Sequence, residues 1–190
     1  MASQLLENSA IQNQLVRITR EQYYEMAEKY SFGKRTELLE GVVLFKMPKS
    51  SIHNFFIDKL FQLLSKILPV NSFIRTEKTI AYGNSDLEPD ISIVAGKIED
   101  FVFEHPSTAL LIVEVAKSSY LYDLAKLSAY AESKVTNFWI LDISTSRLET
   151  YSEPHGTEYR KKQIYYPPET VPIFNGEISL EELFKHIEQK

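Results

Sequence analysis

Apolar residues recur along this chain with two different periods. Between Ser51 and Leu68, Ile52, Phe56, Leu60, Leu63 and Ile67 return every three or four residues. This predicts an amphipathic helix with one buried face, closed by Pro69. Upstream, Thr19-Arg20-Glu21-Gln22 has the form of a capping box and predicts a helix through about Tyr30, with Gly33 ending the region. Arg35 to Leu39 and Val42 to Met47 read as strands around a turn at Glu40-Gly41, and Pro48 stops the second. Asn71 to Tyr82 alternates in strand fashion and runs into the turn sequence Gly83-Asn84-Ser85-Asp86. Asp90 to Ala95 is a short strand. Ala109 to Ala116 is almost wholly apolar, as a central strand covered on both faces would be. Tyr120 to Glu132 predicts one helix and Asn137 to Ile143 another buried strand. Ser144-Thr145-Ser146 turns the chain into a strand from Arg147 to Tyr151. Glu158 to Tyr166 is a more exposed strand, and Ser179-Leu180-Glu181-Glu182 is a second capping box opening a short terminal helix.

This order predicts an α/β (α+β) fold with a central mixed β-sheet flanked by helices. Residues 1–15 read as a flexible N-terminal tail and 16–190 as a single domain, a size that can enclose one core. The absence of cysteine removes disulfides and thiolate metal sites and fits a reducing compartment. No apolar run approaches the ~20 residues that span a bilayer. Met1 to Gln14 lacks a basic-then-apolar signal pattern, so the expectation is a cytoplasmic protein without a membrane partner. The net charge of -5 argues against standing, tight nucleic-acid binding. It does not argue against a metal-dependent enzyme, whose acidic site changes sign when a cation binds.

Two acids stand out. Side chains alternate along a strand, so Glu114 shares a face with Leu110, Ile112 and Ala116 and is a lone acid inside an apolar run. Asp90 follows Pro89 at the start of its own strand. A carboxylate among Ile, Leu and Val is costly unless paired, protonated or bound to a cation. If the two strands are neighbours, the carboxylates converge and offer the oxygen ligands that Mg²⁺ takes alongside water and phosphate. The plainest alternative is structural, with Glu114 satisfied by a lysine such as Lys126 or by backbone donors.

Pro89-Asp90 followed by Glu114-Val115-Ala116-Lys117 resembles the PD-(D/E)XK signature of restriction-endonuclease-like nucleases. More closely, the chain resembles the Uma2 family of putative endonucleases from about Thr19 to Tyr151. That resemblance includes Thr36-Glu37-Leu38-Leu39-Glu40-Gly41, His53 after Met47-Pro48, and the Pro89-Asp90 and Glu114-Val115 strands. It also includes Tyr122-Asp123-Leu124-Ala125-Lys126-Leu127-Ser128-Ala129-Tyr130 and Asn137-Phe138-Trp139-Ile140-Leu141-Asp142. It implies a restriction-endonuclease-like fold and a magnesium- or manganese-dependent endonuclease acting on DNA, often as a homodimer. Asp90 and Glu114 would be its metal ligands, with a catalytic lysine. The superfamily spacing Glu-x-Lys falls on Ala116, and Lys117 is one residue late. The family pattern carries its lysine on the following helix, matching Lys126, with Asp123 one turn before it. Lys126 would orient the attacking water, and Lys117 is the other candidate.

Glu37 is either an extra ligand or an ordinary exposed strand acid. His53 is either a support for the site or a structural histidine. Glu77, in an alternating strand beside Thr76 and Lys78, reads as an ordinary strand acid, with an approach to the Asp90 strand as the lesser alternative. Lys29, Lys34, Arg35, Lys46 and Lys49 gather in sequence near the first hairpin and are candidates for phosphate contacts, whereas Arg160-Lys161-Lys162 reads as a solvated edge. His105, His155 and His186 have no ligand spacing, which speaks against zinc. A second function class stays open beside the nuclease: a catalytically inactive nucleic-acid-binding or protein-interaction module that keeps the fold.

Overall fold

The computed structural model describes residues 14–31, 33–185 and 187. The expected tail therefore lies almost wholly outside the described residues, as does His186. Helix α1, Arg20–Tyr30, starts where the capping box requires. The Thr19 hydroxyl accepts from Gln22 N, and the Gln22 side chain accepts in return from Thr19 N. Helix α2, Ser51–Ser65, is capped by Ser50, whose hydroxyl accepts from His53 N. It ends three residues sooner than the apolar period suggests. Lys66 N and Ile67 N bond to carbonyls three residues back, which tightens the last turn ahead of Pro69.

Strands β1 (Thr36–Leu39), β2 (Val42–Phe45), β4 (Ile80–Tyr82) and β5 (Ser85–Leu87) form a four-stranded sheet in the order β2-β1-β5-β4. A six-stranded sheet has the order β10-β9-β8-β7-β6-β3. Its strands are β3 (Ser72–Thr76), β6 (Ile91–Ala95), β7 (Leu111–Ala116), β8 (Asn137–Asp142), β9 (Arg147–His155) and β10 (Glu158–Tyr165). Only the β7–β8 pairing is parallel, so the sheet is mixed. Alternation along β7 divides the core. Leu111, Val113 and Val115 pack with Phe56, Leu60 and Leu64 of α2. Ile112 and Ala116 face Ala129 and Tyr130 on the opposite side.

Several expectations need correction. Asn71 to Tyr82 is not one strand. Glu77 adopts φ 51, and the bend sends β3 into one sheet and β4 into the other. The turn after Tyr82 is Gly83-Asn84 alone, since Ser85 and Asp86 already pair with β4. Arg35 ends a short 3-10 turn, and its strand begins at Thr36. The single helix expected over 120–132 is two: α3, Tyr120–Leu124, and α4, Leu127–Glu132, meeting at Ala125-Lys126. Strand β9 extends to His155. A small ribbon, β11 (Thr170–Ile173) with β12 (Gly176–Ser179), was not foreseen, because Pro172 demotes a strand reading. It precedes α5, Leu180–Phe184, whose cap is Ser179 as expected.

Among the described residues, no helix is long and apolar enough to cross a membrane.

Candidate active site

The register of the central strands decides what meets what. Strands β6 and β7 are antiparallel with Ile91 opposite Val113, so the next step outward sets Asp90 opposite Glu114. The Asp90 backbone N–H points to Glu114 Oε2 at 3.4 Å. In return, Asp90 Oδ2 accepts from Val115 N at 2.8 Å. The same Oδ2 lies 3.0 Å from His53 Nε2 in the first turn of α2. Asp90 Oδ1 accepts from Lys49 Nζ at 2.8 Å, and that ammonium also bonds to Glu77 Oε1. Glu77 does approach the Asp90 strand, with its N–H donating to Asp90 O at 3.2 Å.

The second half of the site centres on Lys126. Its ammonium is 3.0 Å from Glu37 Oε1, 3.1 Å from Glu114 Oε1 and 3.8 Å from Asp123 Oδ1. The break between α3 and α4 positions it. Lys126 N bonds back to Asp123 O, three residues away, while Lys126 O accepts from Tyr130 N in the next helix. Tyr130 donates to Glu114 Oε1 at 3.0 Å, Tyr122 to Glu37 Oε1 at 2.5 Å, and Ser119 to Asp123 Oδ2 at 2.7 Å. Glu37 is buried, so it is not an exposed strand acid.

Asp123, Asp90, Glu37 and Glu114 are all at most 6% exposed, and Lys126 is 3% exposed. Burial pushes the Glu114 carboxyl up to about 8; Lys126 opposes the rise, and Asp123, Asp90 and Glu37 add to it. Burial likewise lifts Asp123 to about 6. Burial would raise Asp90 too, but His53 and Lys49 outweigh it and hold the carboxyl below the usual range. For Lys126, burial would lower the pKa; Glu114, Glu37 and Asp123 outweigh that and raise it well above normal. Glu37, Glu114 and Asp123 thus share the buried Lys126 ammonium, while Asp90 pairs with His53 and the exposed Lys49.

Such a site favours a proton or an added cation, and its donors are all oxygen, as a hard divalent ion prefers. Among the described residues, no three acid or histidine side chains form a ready cation cage. Mg²⁺ needs none, since one or two carboxylates with water and substrate phosphate commonly suffice. Asp90 and Glu114, neighbours across β6 and β7, are two carboxyl groups of the kind such an ion takes.

These groups line the floor of a cleft of about 1040 Å³. Lys34, Arg35, Phe45, Lys46, Met47 and Lys117 line it as well. Lys117 is exposed, and among the described residues it has no ion pair with Glu114; the ammonium beside Glu114 is that of Lys126. His105 and His155 lie outside the cleft lining. Lys162 and Lys161 on edge strand β10 pair with Glu149 and Glu153.

Sequence reasoning missed the tyrosines that hold the carboxylates and the grip of Lys49 on Asp90. Tyr130 had a signal, four residues after Lys126 and so on the same helical face. Lys49 had none, because a loop before a helix cap has no periodicity to say where its side chain goes.

A family model described as a putative restriction endonuclease, Uma2, matches residues 20–181. A crystal structure of a putative nuclease from Anabaena variabilis matches with a TM-score of 0.72 at 15% identity, covering 88% of this chain and 98% of that one. At that identity the likeness speaks for the fold. The type IIG restriction endonuclease BpuSI is 19% identical over 77% of this chain and 17% of its own, with a TM-score of 0.42. Among curated proteins, none matches.

Proposed function

We propose, because the chain belongs to the Uma2 family of putative restriction endonucleases, that it is a divalent-cation-dependent endonuclease hydrolysing DNA phosphodiester bonds. The observation that carries this reading is the pairing of Asp90 and Glu114 across β6 and β7 on the floor of the cleft, with Lys126 beside Glu114. Asp90 and Glu114 would hold Mg²⁺ or Mn²⁺, which when bound supplies Lewis acidity toward a phosphoryl oxygen and acidifies a water.

The chain's own groups do the rest. Lys126 orients the attacking water and offsets the charge that grows on the phosphoryl oxygens. Glu37 and Asp123 fix that ammonium from two further sides, and Tyr122 and Tyr130 hold Glu37 and Glu114 in place. His53 and Val115 N fix the orientation of Asp90. Proximity alone is worth several orders of magnitude when such groups are held still.

One observation favours the inactive-module reading: Lys49 and Lys126 already pair with the carboxylates that a cation would use. Calorimetric titration of Mn²⁺ into wild type and Asp90→Ala separates the two. The nuclease reading expects binding to wild type, loss in the variant, and Mn²⁺-dependent nicking of DNA. A folded wild type that neither binds Mn²⁺ nor gains thermal stability from it, and nicks nothing, would leave the inactive module.

A further inference from the structure

The mouth of the cleft carries an aromatic side chain that neither the core nor the proposed chemistry uses. Phe45, the last residue of β2, is 77% exposed yet lines the cleft. Met47, two residues on and also 47% exposed, lines the same cleft. Single exposed apolar residues are ordinary on a protein surface. These two stand among cations. Lys46 N donates to Arg35 O, which ties the end of β2 to the turn carrying Lys34 and Arg35. Lys117 lines the cleft from the end of β7. Among the described residues, Lys34, Arg35 and Lys117 have no acid partner, whereas Lys46 and Lys49 are paired with Glu88 and with Glu77 and Asp90.

Alternating cations and exposed aromatics are the elements of an unpaired-strand site. Cations follow the phosphates, and an aromatic face takes a base whatever its identity. A paired base offers its face to its neighbours in the stack, so an aromatic platform gains little from an intact duplex. The recess argues the same way. The proposed ligands lie on the floor, almost wholly buried, and the cleft of about 1040 Å³ is at the upper end of small-molecule pockets. A few nucleotide units fit such a space. Duplex DNA is wider than its ~12 Å major groove, so a paired strand reaches the buried floor less readily than an unpaired one.

We propose that this cleft takes an unpaired or locally unstacked DNA strand, with one base stacked on Phe45 and the flanking phosphates held by Arg35, Lys34 and Lys117. The proposal rests on the nuclease reading and adds the substrate form to it. Met47 borders the stacked base on its second side.

The test is fluorescence anisotropy with two labelled probes in EDTA, where no cleavage proceeds: a mixed-sequence single-stranded DNA and the blunt duplex of the same length. Wild type is expected to bind the single strand at least tenfold more tightly. Phe45→Ala should weaken single-strand binding about fivefold or more, as loss of one base–aromatic stack does, while Phe45→Trp retains it. Circular dichroism on each variant checks folding, which an exposed side chain leaves intact. Duplex binding equal to or tighter than single-strand binding, or a Phe45→Ala variant that binds like wild type, overturns the inference. If duplex is bound and then cut on adding Mn²⁺, the nuclease reading survives that failure. If neither probe binds, with or without Mn²⁺, both readings fall together.

Discussion

At the scale of single residues, the site is a contest between burial and pairing. The Glu114 carboxyl is raised by burial to about 8, and that of Asp123 to about 6, from ordinary values near 4. Between the unfolded and folded values, the folded protein holds protons that the unfolded chain has released. By linkage, the contribution of these groups to stability is fully present below the unfolded pKa and is lost as pH rises through the folded one. The metal-free protein is therefore expected to melt lower at pH 8 than at pH 6, with Glu114→Gln flattening the dependence and Mn²⁺ restoring stability at pH 8. Thermal melts across that window check it, and a wild type that melts higher at pH 8 without metal would refute it. Lys126→Ala should be severe, about 3–5 kcal/mol in urea unfolding, because it strands acids that are buried together. The structural reading of the Glu114–Lys126 pair predicts that loss too, so only cation binding and cleavage distinguish a site from a strut.

At the scale of elements, the site depends on places where regular structure stops. The β1–β2 hairpin closes through two residues, Glu40 and Gly41, at φ 48 and 82, the conformation of a type I′ turn. Gly41 is pressed against the preceding chain, where an added Cβ would lie 2.8 Å from the Arg17 Cβ and 3.0 Å from Ile18 O. Gly41→Ala is expected to cost about 1–2 kcal/mol for the left-handed backbone alone, and more from the clash. Gly156→Ala, at φ 60 with nothing nearby, should cost only the backbone part. Urea unfolding of the pair tests this difference, and equal losses would show that the contact with Arg17 and Ile18 is immaterial.

Much at this scale was legible from the chain. The apolar run 109–116 named the central strand, the lone Glu114 within it pointed to the candidate site, and Glu40-Gly41 named its turn. The split of 71–82 was not legible, because Glu77 in a left-handed conformation leaves no mark on an alternating pattern. Nor was the break at Ala125-Lys126, since no glycine or proline marks it and every neighbour suits a helix. Of the candidate site, Asp90, Glu114 and Lys126 could be named from strand position and family pattern. The acids that surround Lys126 come together only through folding: Glu37 arrives from another sheet.

At the scale of the whole molecule, the chain carries a net charge of -5, yet Lys34, Arg35 and Lys117, which have no acid partner among the described residues, all line the cleft. The chain's general field opposes nucleic acid, while under the proposal above Lys34, Arg35 and Lys117 would attract it locally. Binding should accordingly be salt-dependent but shallow. Each phosphate neutralised on a single strand contributes about -0.7 to the slope of log K against log salt, so about -2 is expected for three contacts. Titrations at several salt concentrations measure it. A slope near -10 would mean a broad cationic face and would contradict a small cleft.

The two sheets meet at Glu88-Pro89-Asp90, three residues between β5 and β6, and Lys126, paired with Glu37 of β1 and Glu114 of β7, bridges them again. The hairpin that carries Glu37 inward also carries Phe45 to the rim, and its two-residue turn fixes both at once. Side chains on a strand change faces with every single-residue step. Inserting or deleting one residue in β1 would therefore put Thr36 or Leu38 in front of Lys126 and turn Glu37 to the other face. Under the proposal for Phe45, the hairpin could vary its outward-facing residues and, with them, what the cleft would accept. The hairpin's residue count is fixed by the register, so under the proposed function a substitution would change the substrate preference, whereas a change of length would remove the proposed chemistry in one step.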